Sequence, residues 1–296
     1  MIEFYAQQLI NALALGGVYA LLALGLAMIF SVLGMINFAH GEVMTIAGYA
    51  VVFAVATLGV PFAFAVIVGC LIAISTAVAI ERVAFRPVRN ASLSTMLLTT
   101  FAVSSILQVL FQNFISPRPL ALAVPATLTG VVSIGGLTIG TLQLVSIGIT
   151  FVVLAGLVVF LRRSLLGIAM RAAAQDFAAT RLMGIRANGV IATAFAISGV
   201  LAGVSGFLWV AQRGSVDPLM GFLPVLKAFI AVVIGGLGNL GGAVLGGFVL
   251  GGIEVMLRAT LPPDLLPFRD AIALSLVILL LIWRPYGLLG KAEAVR

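Results

Sequence analysis

Residues 8–33 read QLINALALGGVYALLALGLAMIFSVL, an apolar run without one charged side chain. The hydrocarbon core of a bilayer is about 30 Å thick, and a helix crosses it in about 20 residues. Working outward from this run, comparable segments recur at 43–59, 62–80, 93–114, 142–161 and 190–210. Two shorter Gly-rich segments follow at 224–234 and 241–257, then a last one at 268–283. The chain reads as an all-α membrane protein, a polytopic bundle of eight or nine transmembrane segments with broken or re-entrant helices.

Composition agrees. Of 296 residues, 62% are hydrophobic and 8% charged, where ordinary globular domains carry about 25% charged residues. A water-soluble fold has too little polar surface to cover so much apolar area. The length fits one membrane domain, 1–296, and leaves no room for an added soluble catalytic domain. Met1–Tyr5 lacks a basic n-region and is read as the start of the first membrane helix rather than a signal peptide. Cys70 is the only cysteine, so no intramolecular disulfide forms.

The net charge of +7 is explained by topology rather than by nucleic acid. Arg82, Arg86 and Arg89 form one basic loop; Arg162, Arg163, Arg171, Arg181 and Arg186 a second; Arg284, Lys291 and Arg296 a tail. Placing these in the cytoplasm sets the C-terminus inside and, with nine crossings, the N-terminus outside. Outside, Val131–Ile134 and Leu137–Ile139 flank Gly135-Gly136 and predict a small β-hairpin. Inside, the long stretch 162–189 contains Ala172–Ala179, which favours a short helix that Gly184 would end.

Chemistry-bearing motifs are few. Gly236-Leu-Gly238-Asn239-Leu-Gly241 matches GxGxxG, but apolar segments flank it instead of a strand and a helix of a βαβ unit. It is read as a break between half-helices. The glycines continue at 242, 246, 247 and 251 with GxxxG spacing, which lets helix backbones approach, within this chain or across to a second subunit. Asn37, His40 and Glu42 interrupt the apolar pattern after residue 33 and are expected at a helix break, with Asn37 or His40 bonding freed backbone groups and Glu42 favouring a helix N-terminus. One His and one Cys are too few for a zinc site, so no metal is expected. Thr95, Thr99, Ser105, Gln108 and Gln112 are spaced to share one helix face, which must meet protein or water: interhelical hydrogen bonds or a translocation pathway. Glu254 and Arg258, one turn apart, suggest an ion pair. No catalytic constellation is present, and no GxxxxGK[ST] motif that would cradle ATP phosphates. An autonomous, ion-coupled transporter would usually place more ionisable groups in mid-membrane.

Tyr19–Gly25 leading into GMINFAHGE (Gly34–Glu42) resembles the permeases of branched-chain amino acid ABC importers, and the shorter of their two permeases in particular. Met170–Ile185, Leu226–Gly252, Trp283–Gly290 and VSIGGLTI (132–139) carry the same resemblance, so it spans nearly the whole chain. It implies a second homologous permease, two cytoplasmic ATPases that bind ATP and Mg, and a periplasmic or lipid-anchored substrate-binding protein, all in the cell inner membrane or against it. It also implies that 162–189 is the ATPase-coupling loop, with Arg171, Ala173, Ala174, Asp176 and Gly184 its matching positions. Related permeases carry urea or short amides, so these remain alternative cargoes.

Overall fold

The computed structural model describes residues 2–89, 91–134 and 136–290. Helix α1 (Ile2–Leu33) is followed by the irregular residues 34–39, then α2 (His40–Ala56) and α3 (Phe62–Ile80). A π-helical turn (Glu81–Phe85) and the short α4 (Arg86–Val88) lead to α5 (Leu93–Leu110), which Ser92 caps by accepting from the Thr95 amide, and which ends in a second π-helical turn, Phe111–Ile115. After β1 (Leu120–Ala121), β2 (Val131–Ile134) and β3 (Leu137–Gly140) come α6 (Thr141–Arg163), α7 (Leu165–Gln175), α8 (Phe177–Leu182) and α9 (Ala187–Arg213). Then β4 (Ser215–Val216), α10 (Phe222–Gly235), α11 (Leu240–Thr260), a 3-10 turn (Pro263–Phe268) and α12 (Arg269–Trp283) complete the order.

Among the described residues seven helices are long and apolar enough to cross a membrane, and α2 and α10 are shorter apolar helices. Their 17 and 14 residues rise about 26 and 21 Å at 1.5 Å per residue, less than a bilayer core. β2 and β3 pair antiparallel, Val131 opposite Gly140; Gly135 of the connecting turn lies outside the described residues. β1 pairs with β4.

The strands gather at one end of the bundle. The Thr138 amide donates to Gln7 Oε1 (3.1 Å) near the start of α1, and β4 directly follows α9. The far ends of α1 and α6, the short α7 and α8, and the start of α9 lie at the other end. α1 and α9 therefore run in opposite directions through the centre, and most of their residues are buried. Their surroundings repeat. α1 packs chiefly along α11, as α9 packs along α3; α2 lies against α3 and α9, as α10 lies against α11 and α1. The arrangement is an inverted pair of units, α1–α2–α3–α5 and α9–α10–α11–α12, each with one short helix second.

Glycines make these contacts possible. A methyl on Gly247 or Gly251 would strike the backbone of Ala20 or Gly16 on α1, and one on Gly199 would come within 2.8 Å of Ile74 Cα on α3. Gly246 and Gly242 serve α10 in the same way. The GxxxG spacing of α11 is thus spent on packing inside this chain. At the centre Gly41 and Gly221, at the starts of α2 and α10, touch backbone to backbone.

Candidate translocation site

α2 starts within the bundle rather than at its edge. Its first residue, His40, rests against Gly25, where a methyl would lie 2.6 Å from Nε2; Gly25 is eight residues short of the end of α1, about 12 Å in depth. His40 Nδ1 lies 3.0 Å from Ser198 Oγ on α9. Glu42 turns toward α5, where its Oε1 accepts from Ser104 Oγ (3.0 Å) and Gln108 Nε2 (2.8 Å). Asn37, His40 and Glu42 are buried, at 2%, 1% and 0% exposure, and Asn37 Oδ1, His40 Nε2 and Glu42 Oε2 have no hydrogen-bond partner among the described residues. The break after α1 is therefore real. The side-chain bonds to freed backbone groups expected of Asn37 or His40 are not: His40 pairs with a serine, and Asn37 Oδ1 has no partner among the described residues. Glu42 stands in the first turn of α2 as expected and bonds two side chains of α5.

The polar face of α5 is set differently from its sequence spacing. Gln108 reaches Glu42, and the residues that join it are Ser104, buried, and beyond it Thr100, whose hydroxyl donates to Leu97 O (2.9 Å). Ser105 is exposed on the other side. Thr95 is exposed and bonds Ser92 Oγ (2.9 Å), Thr99 donates back to Thr95 O (2.8 Å), and Gln112 is half-buried in the π-helical turn. Beside Glu42, the ring of Phe38 stacks on Phe101 of α5 (4.4 Å between centroids) and meets Phe229 of α10 edge-on (5.7 Å).

A second polar cluster lies on the opposite flank of α10. Lys227 Nζ is 2.7 Å from Glu254 Oε1 and 3.3 Å from Asp270, while Tyr19 donates to Glu254 Oε2 (3.0 Å). Glu254 is buried between α1 and α10, whereas Arg258, one turn further along α11, is exposed. The Glu254–Arg258 pair suggested by spacing is thus replaced by Glu254–Lys227.

At the end away from the strands, residues 236–239 form the turn between α10 and α11. Because α11, at 21 residues, is long enough to span a membrane, this is a connection at the end of the bundle and not the break between two half-helices expected from the sequence. Gly236 (φ 104°) and Gly238 (φ 82°) take conformations that side chains resist, and Asn239 caps α11 by accepting from the Gly242 amide (2.9 Å). Asn239 Nδ2 also donates to Leu289 O (2.8 Å), and the amides of Leu288 and Leu289 donate to Ile234 O and Gly235 O (2.8 and 3.0 Å). The stretch 284–290 is strapped across the turn. A groove of about 780 Å³ between Phe30, Ala174, Leu237, Asn239 and Tyr286 opens beside it.

The Ala172–Ala179 run is two helices, not one. Asp176 leaves helical geometry, ends α7, and caps α8 through Oδ1 on the Ala179 amide (2.9 Å). A carboxylate that bonds the backbone ahead of it competes with continuing the helix. Arg171, Ala174 and Asp176 are exposed, Ala173 is buried, and Gly184 turns the chain after α8 (φ 80°).

The family profile described as "Branched-chain amino acid transport system / permease component" matches residues 8–282. The chain belongs to that family. It is 38% identical to the high-affinity branched-chain amino acid transport system permease protein BraD of Pseudomonas aeruginosa, over 99% of this chain and 98% of that protein. It is 35% identical to the permease protein LivH of Escherichia coli over 98% and 97% of the two chains. The LivM permease of E. coli matches over 44% of this chain and 29% of its own length, at 34% identity. No solved structure matches.

Within this permease, sequence reasoning missed Ser104, Ser198, Phe38 and Lys227. Ser104 had a usable signal, because Thr100, Ser104 and Gln108 recur every fourth residue. Ser198 had none; it meets His40 across 158 positions of chain.

Proposed function

We propose that this chain is the permease subunit of an ATP-binding-cassette importer that carries branched-chain amino acids across the cytoplasmic membrane. The observation that carries the reading is end-to-end similarity to permeases named for that transport. In this reading a second, homologous permease completes the channel, two ATPases that bind ATP and Mg dock on the cytoplasmic side, and a binding protein delivers cargo from outside. The end bearing α7 and α8 is cytoplasmic, because Arg82, Arg86, Arg89, Arg162, Arg163, Arg171, Arg181 and Arg186 cluster in its connections. The chain then crosses nine times, α2 and α10 each completing a crossing with the irregular residues before them. The β2–β3 hairpin and the N-terminus lie outside.

α7 and α8 are the coupling segment. Arg171 and Asp176 face solvent there while Ala173 anchors α7 in the bundle. Charge reversal at an exposed site spares the fold and alters docking. Arg171→Glu is expected to cut the amount of ATPase that co-purifies with the permease at least threefold, with the permease itself recovered at the normal level. Undiminished ATPase recovery from detergent extracts argues against docking at this segment.

A further inference from the structure

We propose that Glu42 is a recognition residue on the translocation route, the group that receives the ammonium of the amino acid, with Phe38, Phe101 and Phe229 as the wall for its apolar side chain. The inference rests on the importer reading above.

Glu42 is fully buried at the start of a half-helix inside the membrane domain, and no Lys, Arg or His among the described residues pairs with it. Burying a carboxylate is costly unless a cation and hydrogen bonds compensate it. Here the hydrogen bonds are half supplied. Ser104 and Gln108 both serve Oε1, and Oε2 has no donor. The other charged cluster in the membrane shows what full compensation looks like: Glu254 has Lys227 on one oxygen and Tyr19 on the other. Among the described residues Glu42 lacks both the cation and a partner for its second oxygen.

The surroundings suit a zwitterion with a branched aliphatic chain. Phe38 lies in the irregular residues just before α2, four positions ahead of Glu42. Its ring stacks on Phe101, which is one helical turn along α5 from Ser104, a donor to Glu42. Phe101 is 42% exposed, so the cluster reaches the outside of the chain along α5. That outside also carries Thr95, Ser105 and Asn113, which are exposed. Polar side chains at membrane depth face protein or water, not lipid. α2 and α5 both run away from the cytoplasmic end, so cargo entering from outside reaches the level of Gln108, Ser104 and Glu42 before that of Phe101 and Phe38. Gln108, half-buried and bonded to Glu42 Oε1, is the side chain to be displaced.

The alternative is that Glu42 merely accepts two hydrogen bonds that tie α2 to α5. Two substitutions separate the roles. Glu42→Gln keeps the length and the acceptor for Ser104 and Gln108 but removes the charge; Glu42→Asp keeps the charge but draws it back by one carbon. Each is read in the complete transporter with its ATPases and binding protein, as leucine accumulated per ATP hydrolysed in sealed vesicles. Recognition ranks Asp above Gln, with Glu42→Gln lowered at least tenfold and Glu42→Asp within about threefold of the parent. A ratio in Glu42→Gln equal to or better than in Glu42→Asp overturns the proposal, as does failure of both variants to assemble, which makes Glu42 a structural tie. The parent complex is measured alongside, so a failure of ATP-driven leucine uptake itself is seen separately and counts against the importer reading instead.

Discussion

Gly247→Leu is expected to remove nearly all folded permease from detergent extracts, while Gly252→Leu leaves recovery unchanged. The two positions are five residues apart on the same helix. At Gly247 even a methyl would strike the backbone of Ala20, whereas at Gly252 an added carbon meets nothing within 4 Å. In lipid, helices gain little from hiding apolar surface from one another, so their association depends on close backbone approach. A side chain at Gly247 pushes α11 away from α1 along their whole contact, the largest between any two helices here. Overpacking a core usually costs about 1–3 kcal/mol by letting side chains adjust. Two backbones in contact have nothing flexible to yield, so the loss should exceed that range. Gly252→Leu gains helix propensity, less than about 1 kcal/mol. Size-exclusion profiles of the two variants check the contrast. Similar recovery of both would mean that α1 and α11 do not pack as described.

Lys227→Met is the second large effect. It strands Glu254, which is buried, with Tyr19 as its remaining partner. Removing one member of a buried ion pair typically costs about 3–5 kcal/mol, because the other charge is left desolvated. Lys227 is not fully enclosed by the chain, with 18% of its side chain at the surface, so the lower end of that range is expected. Lys227→Met combined with Glu254→Gln should recover most of the lost thermal stability, since no bare charge then remains inside. Arg258→Gln should shift the melting temperature little, as surface changes generally do. If Arg258→Gln is the damaging change instead, Glu254 pairs along its own helix and the α10–α11 geometry is wrong.

What the sequence made legible follows from the solvent. Lipid leaves a spanning segment no choice but to bond its own backbone. The long apolar runs therefore became helices close to their expected bounds, and the interruption at Gly236–Asn239 could be seen because glycines and a capping Asn stand between two such runs. The basic segments were equally plain. Depth and facing were harder. The pattern of residues 34–42 signals a break but not that α2 begins about 12 Å inside the bundle; that depends on Gly25, which leaves room for His40 on a neighbouring helix. Helical phase turns Ser104 rather than Ser105 toward Glu42, while Ser105 stays on the exposed face of α5. A stripe that steps by three and four drifts around the helix, and only the position of Glu42 decides which side faces inward. Glu254 was assigned to the cation nearest in sequence, but its partner sits on the preceding helix, brought there by the tight α10–α11 turn. Asp176 read as one residue of a helix-favouring run, yet its carboxylate stops one helix and starts the next.

The central claim is that transport through this chain draws its energy from a separate ATPase. The most direct measurement is leucine accumulation in sealed vesicles holding this permease, its partner permease, the two ATPases and the binding protein. Uptake should require ATP and stop when the ATPases carry a substitution that blocks hydrolysis. Accumulation by this chain alone, driven by an ion gradient with no ATPase present, would contradict the account.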